Sequence, residues 1–132
     1  MRLLRHRDRS AAQVDRELAA RGVEDEAREE ALATLSRTGL VDDARFAEAR
    51  ARSLAGRGAG DTLIRHDLAE AGIAQDLVDD AIGALEPESE RAQPIVARRG
   101  VSAKTARYLA GKGFSQDVVH EVVARAGDEA IG

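Results

Sequence analysis

His66 and Glu70 stand four residues apart, the spacing that brings two side chains to one helix face and that metal pairs use. No third ligand follows at a useful spacing, so an exposed ion pair is the simpler reading. His6 and His120 have no partners at ligand spacing and are expected at the surface. Asp42-Asp43 offers two carboxylates to a cation, yet an aspartate ahead of a helical stretch caps free amides, and capping accounts for both. Gly56-Arg57-Gly58-Ala59-Gly60 has the glycines of a phosphate loop without its other parts. It follows a helical stretch instead of a strand, and no Gly-Lys-Ser/Thr is present. The 132 residues include no cysteine, which removes disulfides, thiolate metal sites and thiol nucleophiles together. Neither a catalytic group nor a metal or cofactor site is predicted, and enzyme is the weakest class.

Charge is the chemistry that remains. The net value is −4, from 20 basic and 24 acidic residues, and 18 of the basic residues are Arg. That sum conceals a regular polarity. Residues 1–21 and 45–66 each carry a net +3, and residues 91–112 carry six basic residues and no acid. Between and after them, residues 22–36 carry −4, residues 67–90 hold eight acids with no Lys or Arg, and residues 113–132 carry −3. A solvated surface with complementary charges explains part of this. Alignment of the basic stretches into a stripe facing phosphates or an acidic protein surface is the functional reading. Arg98, Arg99, Lys104, Arg107 and Lys112 are the leading candidates, with Arg57 and Arg65 in the middle of the chain. Arg5, Arg7 and Arg9 near the amino terminus, Arg50 and Arg52 in the middle, and Tyr108 are secondary candidates. Tyr108 can stack on a base, although a core or rim position is the more ordinary role for it.

The elements that position these side chains are helices. Aromatics make up 2% of the chain (Phe46, Tyr108 and Phe114), and Ala, Leu, Arg, Glu and Asp dominate. Apolar residues recur at three- and four-residue spacing, with no sustained alternation. Moreover, the chain repeats. Leu18-Ala19-Ala20-Arg21-Gly22-Val23 returns as Leu68-Ala69-Glu70-Ala71-Gly72-Ile73 and as Leu109-Ala110-Gly111-Lys112-Gly113-Phe114, the glycines 50 and 41 residues apart. Each glycine suits the left-handed position just past a helix end. Val14, Ile64 and Thr105 lie eight residues before it, and Ala27, Leu77 and Val118 five after it. Ala31-Leu32, Ala81-Ile82 and Val122-Val123 continue the stripe, and Leu35, Leu85 and Ala126 close it.

An all-α, elongated tandem array of three three-helix repeats follows: 1–39 with a truncated first helix, 40–86, and 87–132. Helices are predicted at about 11–21 behind Ser10, at 24–37, from the cap Asp42 to about 55, at 61–71 and at 75–85. The first helix of the opening repeat has only residues 1 to about 7 available. Pro94 permits a helix beginning near it and disfavours a long one passing through. Repeats of this size cannot bury a core alone and must share one with their neighbours. No apolar run reaches the roughly 20 residues of a membrane span, and no signal-peptide pattern is present, so a cytoplasmic protein is expected.

The stretch from Arg7 to Leu18, followed by Arg21-Gly22-Val23, resembles the opening of RecX regulatory proteins. Thr38-Gly39-Leu40-Val41-Asp42-Asp43-Ala44-Arg45-Phe46-Ala47 resembles that family's most distinctive segment. Arg57-Gly58-Ala59-Gly60 and Ile64-Arg65-His66-Asp67-Leu68 are similar too, and Tyr108 to Ser115 matches the closing motif. The resemblance spans nearly the whole chain and implies a monomeric, non-enzymatic protein that binds RecA–DNA filaments in their helical groove. It implies suppression of RecA ATP hydrolysis and strand exchange in recombination, DNA repair and the SOS response, with no membrane partner. The chain departs from the pattern at its amino terminus, which begins inside the first family helix, and in the short stretch from Pro87 to Gly100. The alternative is a helical DNA-binding module, on single- or double-stranded DNA, acting without RecA. The acidic stretch that closes every repeat argues against it, because one groove-reading helix needs only one basic segment. A scaffold recognising another helical partner is the third class.

Overall fold

The computed structural model describes residues 9–131, with side chains through Asp128. The helix expected over residues 1–7, together with Arg5, His6 and Arg7, lies outside the described residues. The fold is all-α, with eight helices and no strand among the described residues. They are α1 (Ala11–Ala20), α2 (Asp25–Arg37), α3 (Asp43–Gly56), α4 (Asp61–Glu70), α5 (Gln75–Gly83), α6 (Glu88–Arg99), α7 (Ala103–Gly111) and α8 (Gln116–Ile131).

Local signals start and stop these helices. Ser10 accepts the Gln13 amide and Gln13 returns a bond to the Ser10 amide, a complete capping box. Asp42 caps α3 through the Arg45 amide, and Ser102 caps α7 through the Thr105 amide. Helices α1, α4 and α7 end in one and the same turn. The glycine amide bonds to the carbonyl three residues back, and the next residue's amide to the one five back, at Gly22–Val23, Gly72–Ile73 and Gly113–Phe114. The three glycines hold φ of 83°, 80° and 93°, which a side chain would strain. Ile73 and Phe114 then fold back and are buried.

Packing follows the apolar stripes. Phe46, Ala47 and Ala51 of α3 meet Ile64, Leu68, Ile73, Val78 and Ala81 in one cluster. Ala92, Ile95 and Val96 of α6 meet Leu109, Phe114, Val119 and Val122 in another. In each, the leading helix lies chiefly against the last one, α3 on α5 and α6 on α8. The α1–α2 pair is different: only Val14 of α1 is buried, and α2 buries no side chain fully.

Helix α6 corrects the expectation at Pro94. It runs unbroken from Glu88 to Arg99 with Pro94 inside. A proline in a helix interior costs about 3 kcal/mol. Here Pro94 itself is exposed, and so is Glu90, whose carbonyl is the one that the ring deprives of an amide partner. Burial of Ile95 and Val96 just beyond it contributes about 1.5–3 kcal/mol each, enough to hold the helix together.

Candidate functional site

Cations scattered along a chain act together only if the elements carrying them are fixed to one another. Two joints do this, and both use the amino end of one helix against the glycine turn of a later one. At the first, Ser10 Oγ donates to Ala71 O at 2.5 Å and is fully buried, and the Ala11 amide donates to Asp43 Oδ1 at 2.8 Å. Arg16 Nη2 donates to Glu70 O at 3.0 Å, and Gly72 lies so close to Ala12 that a Cβ there would run into that of Ala12. At the second, the Gly60 amide donates to Lys112 O at 2.8 Å and the Thr62 amide to Gly113 O at 3.0 Å. Glu88 accepts the Asp61 amide at 2.6 Å and the Ser115 amide at 3.1 Å. Arg91 pairs with Asp61 and donates through Nη1 to Ala59 O at 2.9 Å and through Nε to Glu86 O at 2.9 Å. Asp43 and Glu88 are both the first residue of a helix, and each accepts the first amide of the helix preceding it in the joint.

Ion pairing divides the candidate residues into two groups. Arg50 forms a two-pronged pair with Asp67, at 2.8 and 3.0 Å, and this hydrogen bonding raises its pKa above the usual guanidinium value. Arg65 pairs with Asp79 at 2.6 Å, Arg52 with Glu48 at 3.1 Å, and Arg9 with Glu17. In contrast, Arg57, Arg98, Arg99, Lys104, Arg107 and Lys112 have no carboxylate partner among the described residues. Arg57 donates only to Ser53 Oγ, at 3.0 Å.

These free cations adjoin one another. Arg98 and Arg99 occupy the last turn of α6, where the helix dipole favours positive charge. The Arg99 guanidinium lies 3.7 Å from the ring centroid of half-buried Tyr108 on α7. That ring face is therefore covered by Arg99. Lys104, Tyr108 and Lys112 succeed one another at four-residue steps along α7. The Lys112 stem reaches Gly58, next to Arg57, where an added Cβ would sit 3.9 Å from Lys112 Cε. The face thus runs from Arg99 and Lys104 across the second joint to Arg57. Guanidinium and ammonium groups so arranged can grip a polyanion without first breaking an internal pair.

Sequence reasoning missed the residues that build this alignment. Nothing local marks out Arg91 among the six basic residues of 91–112, yet its side chain is 10% exposed and sits within the joint. Glu88 and Arg16 were likewise indistinguishable from solvated charges, because their partners lie 27 and 54 residues away, and Asp43, expected to cap the helix it opens, instead holds the first amide of α1. Arg28 is held by Asp15 at 2.9 Å and Asp25 at 2.7 Å, and the hydrogen bond to Asp15 is the main cause of its raised pKa. His66 and Glu70 are both exposed and 3.9 Å apart. No group of three or more His, Cys, Asp or Glu is placed to hold a metal among the described residues. No described helix is long and apolar enough to cross a membrane.

Stacked short helices, with no strand among the described residues, define an all-α helical-repeat protein. The chain belongs to the RecX family of regulatory proteins. The family model described as "RecX, second three-helix domain" matches residues 42–82, which run from the cap of α3 into α5. The chain is 35% identical over 127 residues to regulatory protein RecX of Stenotrophomonas maltophilia, covering 89% of this chain and 78% of that one. It is 34% identical to regulatory protein RecX of Mycobacterium leprae, over 93% of this chain and 80% of the relative. The crystal structure of RecX from Lactobacillus salivarius shares the fold with a TM-score of 0.77 at 20% identity, covering 90% of this chain and 86% of that one. A second crystal structure of regulatory protein RecX superposes with a TM-score of 0.72 at 24% identity, over 86% and 63% of the two chains.

Proposed function

We propose that this protein is a non-enzymatic, cytoplasmic regulator that binds RecA–DNA filaments and inhibits RecA ATP hydrolysis and strand exchange. The chain's membership of the RecX family supports this reading, and one structural observation carries it. The cations at the end of α6 and along α7 are unpaired and continuous with Arg57 across a fixed joint. A filament of protein and DNA presents a repeating polyanionic surface, and such a face engages one through Arg57, Arg98, Arg99, Lys104, Arg107 and Lys112. Arg65, Arg50, Arg52 and Arg9 are already neutralised by neighbours and contribute less. Three consecutive helical units, 1–39, 40–86 and 87–132, would carry the face along the filament.

The test is RecA ATP hydrolysis on single-stranded DNA, with this protein added well below the RecA concentration. Inhibition is expected. Folded protein without effect would sink the reading. Tight, steeply salt-dependent binding to bare duplex with no effect on RecA would instead favour the independent DNA-binding module.

A further inference from the structure

The two joints inside the chain are built from the same pair of surfaces, and one unused copy of each surface is left over. The first surface is a glycine turn. Gly72 and Gly113 are both in close contact with the preceding helix, Gly72 with Ala12 and Gly113 with Leu63, whose amide would lie 2.6 Å from an added Cβ. Gly22, in the same turn, has no atom of the described residues within 4 Å of that position. The second surface is the amino end of the helix that docks on the turn. Ser10 and Gly60, twelve residues before their repeat glycines, cap α1 and α4, and before the shorter α7 Val101 stands at that offset, next to the cap Ser102. Ser10 and Gly60 are buried in the joints, whereas Val101 is 46% exposed, the most open large apolar side chain described.

Equivalent residues stand ready around Val101. Ala103 occupies the position of Ala12, ten residues before the glycine, where a small side chain fits against the turn. Arg107 occupies the position of Arg16, whose guanidinium holds the carbonyl of Glu70 at the end of α4. Charge also matches. Glu24 and Glu26 lie exposed just past the Gly22 turn, and Lys104 and Arg107 lie exposed beside Ala103.

We infer that copies of this protein join head to tail, the Gly22 turn of one copy docking on the amino end of α7 of the next. Such a contact is heterologous and does not close, so it propagates as an open line. One helix end on one turn is small beside the roughly 1,000 Å² of a stable interface, so free copies stay monomeric in dilute solution. Copies held in register along a polymer meet at high effective concentration, and there the joint forms. The functional part of this inference rests on the filament reading above. Within such a line Arg107 serves the joint in all but the last copy, leaving Arg57, Arg98, Arg99 and Lys112 to face the polyanion.

The cysteine-free chain makes the test direct. Ala20→Cys and Ala103→Cys, both exposed, place one thiol on each half of the joint. A short bismaleimide is added at rising protein concentration, with and without RecA–single-stranded-DNA filaments. A ladder of dimers, trimers and longer products is expected, where either single-cysteine variant stops at dimers. Gly22→Asn in the same background keeps the left-handed turn, which asparagine tolerates, but puts a Cβ into the joint, and the ladder should fall by about tenfold. Val101→Arg tests the other half in the same way. No ladder at any concentration, or one indifferent to both substitutions, overturns the inference. ATPase inhibition that persists without a ladder leaves the filament reading standing, and a ladder without RecA inhibition sinks that reading alone.

Discussion

Gly60→Ala separates close packing from backbone preference, because the two give opposite signs. Gly60 has φ of −84°, which any residue adopts, so the backbone alone predicts a small gain of about 0.4–1 kcal/mol from a stiffer unfolded chain. The joint predicts the reverse. An added Cβ would run into the backbone of Gly113 and Phe114, with the Gly113 carbonyl oxygen 2.6 Å away. None of those atoms is the end of a flexible side chain, so the two helices must separate. Overpacking of this kind costs about 1–3 kcal/mol. Separation also weakens the bonds from Gly60 to Lys112 O and from Thr62 to Gly113 O, about 1 kcal/mol each. After the backbone gain is deducted, a net loss of about 3 kcal/mol is expected. Gly56→Ala is the control. Gly56 closes α3 with nothing within 4 Å of its Cβ position, and alanine there should stabilise by about 0.5–1 kcal/mol. Urea denaturation followed by circular dichroism at 222 nm reads both. A Gly60→Ala variant within about 0.5 kcal/mol of the parent protein, or equal losses at both positions, would refute the joint as described.

Three further outcomes are expected. Ser10→Ala removes the α1 cap and leaves Ala71 O without its buried partner, and should cost about 1–3 kcal/mol in the same denaturation assay. Arg98→Glu combined with Arg99→Glu should weaken RecA ATPase inhibition while helicity is unchanged, and full inhibition would remove the α6 end from the contact. Tyr108→Phe should retain the stack under Arg99, whereas Tyr108→Leu should lose about 0.5–1 kcal/mol of stability and some inhibition, so equal behaviour of the two would dismiss the stack.

What was legible in the sequence is what local spacing encodes. The glycine turns at Gly22, Gly72 and Gly113 and the caps at Ser10 and Asp42 are decided within five or so residues, and the structure forms all of them. The apolar stripe named the buried Ile64 and Leu68 of α4 and Thr105 and Leu109 of α7, but on α5 and α8 it took the half-buried Leu77 and Val118 and passed over Val78 and Val119, one residue on, which are fully buried. On α2 the same stripe, Ala27, Ala31, Leu32 and Leu35, is only partly covered, because no third helix among the described residues lies across it. Pro94 misled because its cost is local while the compensation comes from Ile95 and Val96 against α8, beyond any window along the chain. The joints were illegible for the same reason. Nothing about Glu88 distinguishes it from Glu86 or Glu90 until α4 and α8 bring two amides to its carboxylate.

The same distinction decides where positive charge is available. Basic stretches occur at 45–66 and 91–112, each followed by an acidic one, and by sequence they differ in degree only. In space they differ in kind. Asp67 and Asp79 lie opposite Arg50 and Arg65, and pair with those cations at the surface. Around α7, Arg125 instead takes Glu121, and Glu88 is engaged by backbone amides. No described carboxylate lies within 4.0 Å of Arg98, Arg99 or Lys112. Among the candidate residues, geometry thus gathers the unpaired cations at the end of α6, along α7 and at Arg57, in a chain that is acidic overall. On the proposed filament reading, a polyanion would be repelled by the −4 total at a distance and held only once docked, within about a Debye length of roughly 8–10 Å. Contact should therefore demand the fitted surface of an ordered filament over loose nucleic acid, and raising salt should weaken that contact less steeply than it would for a basic protein of equal size.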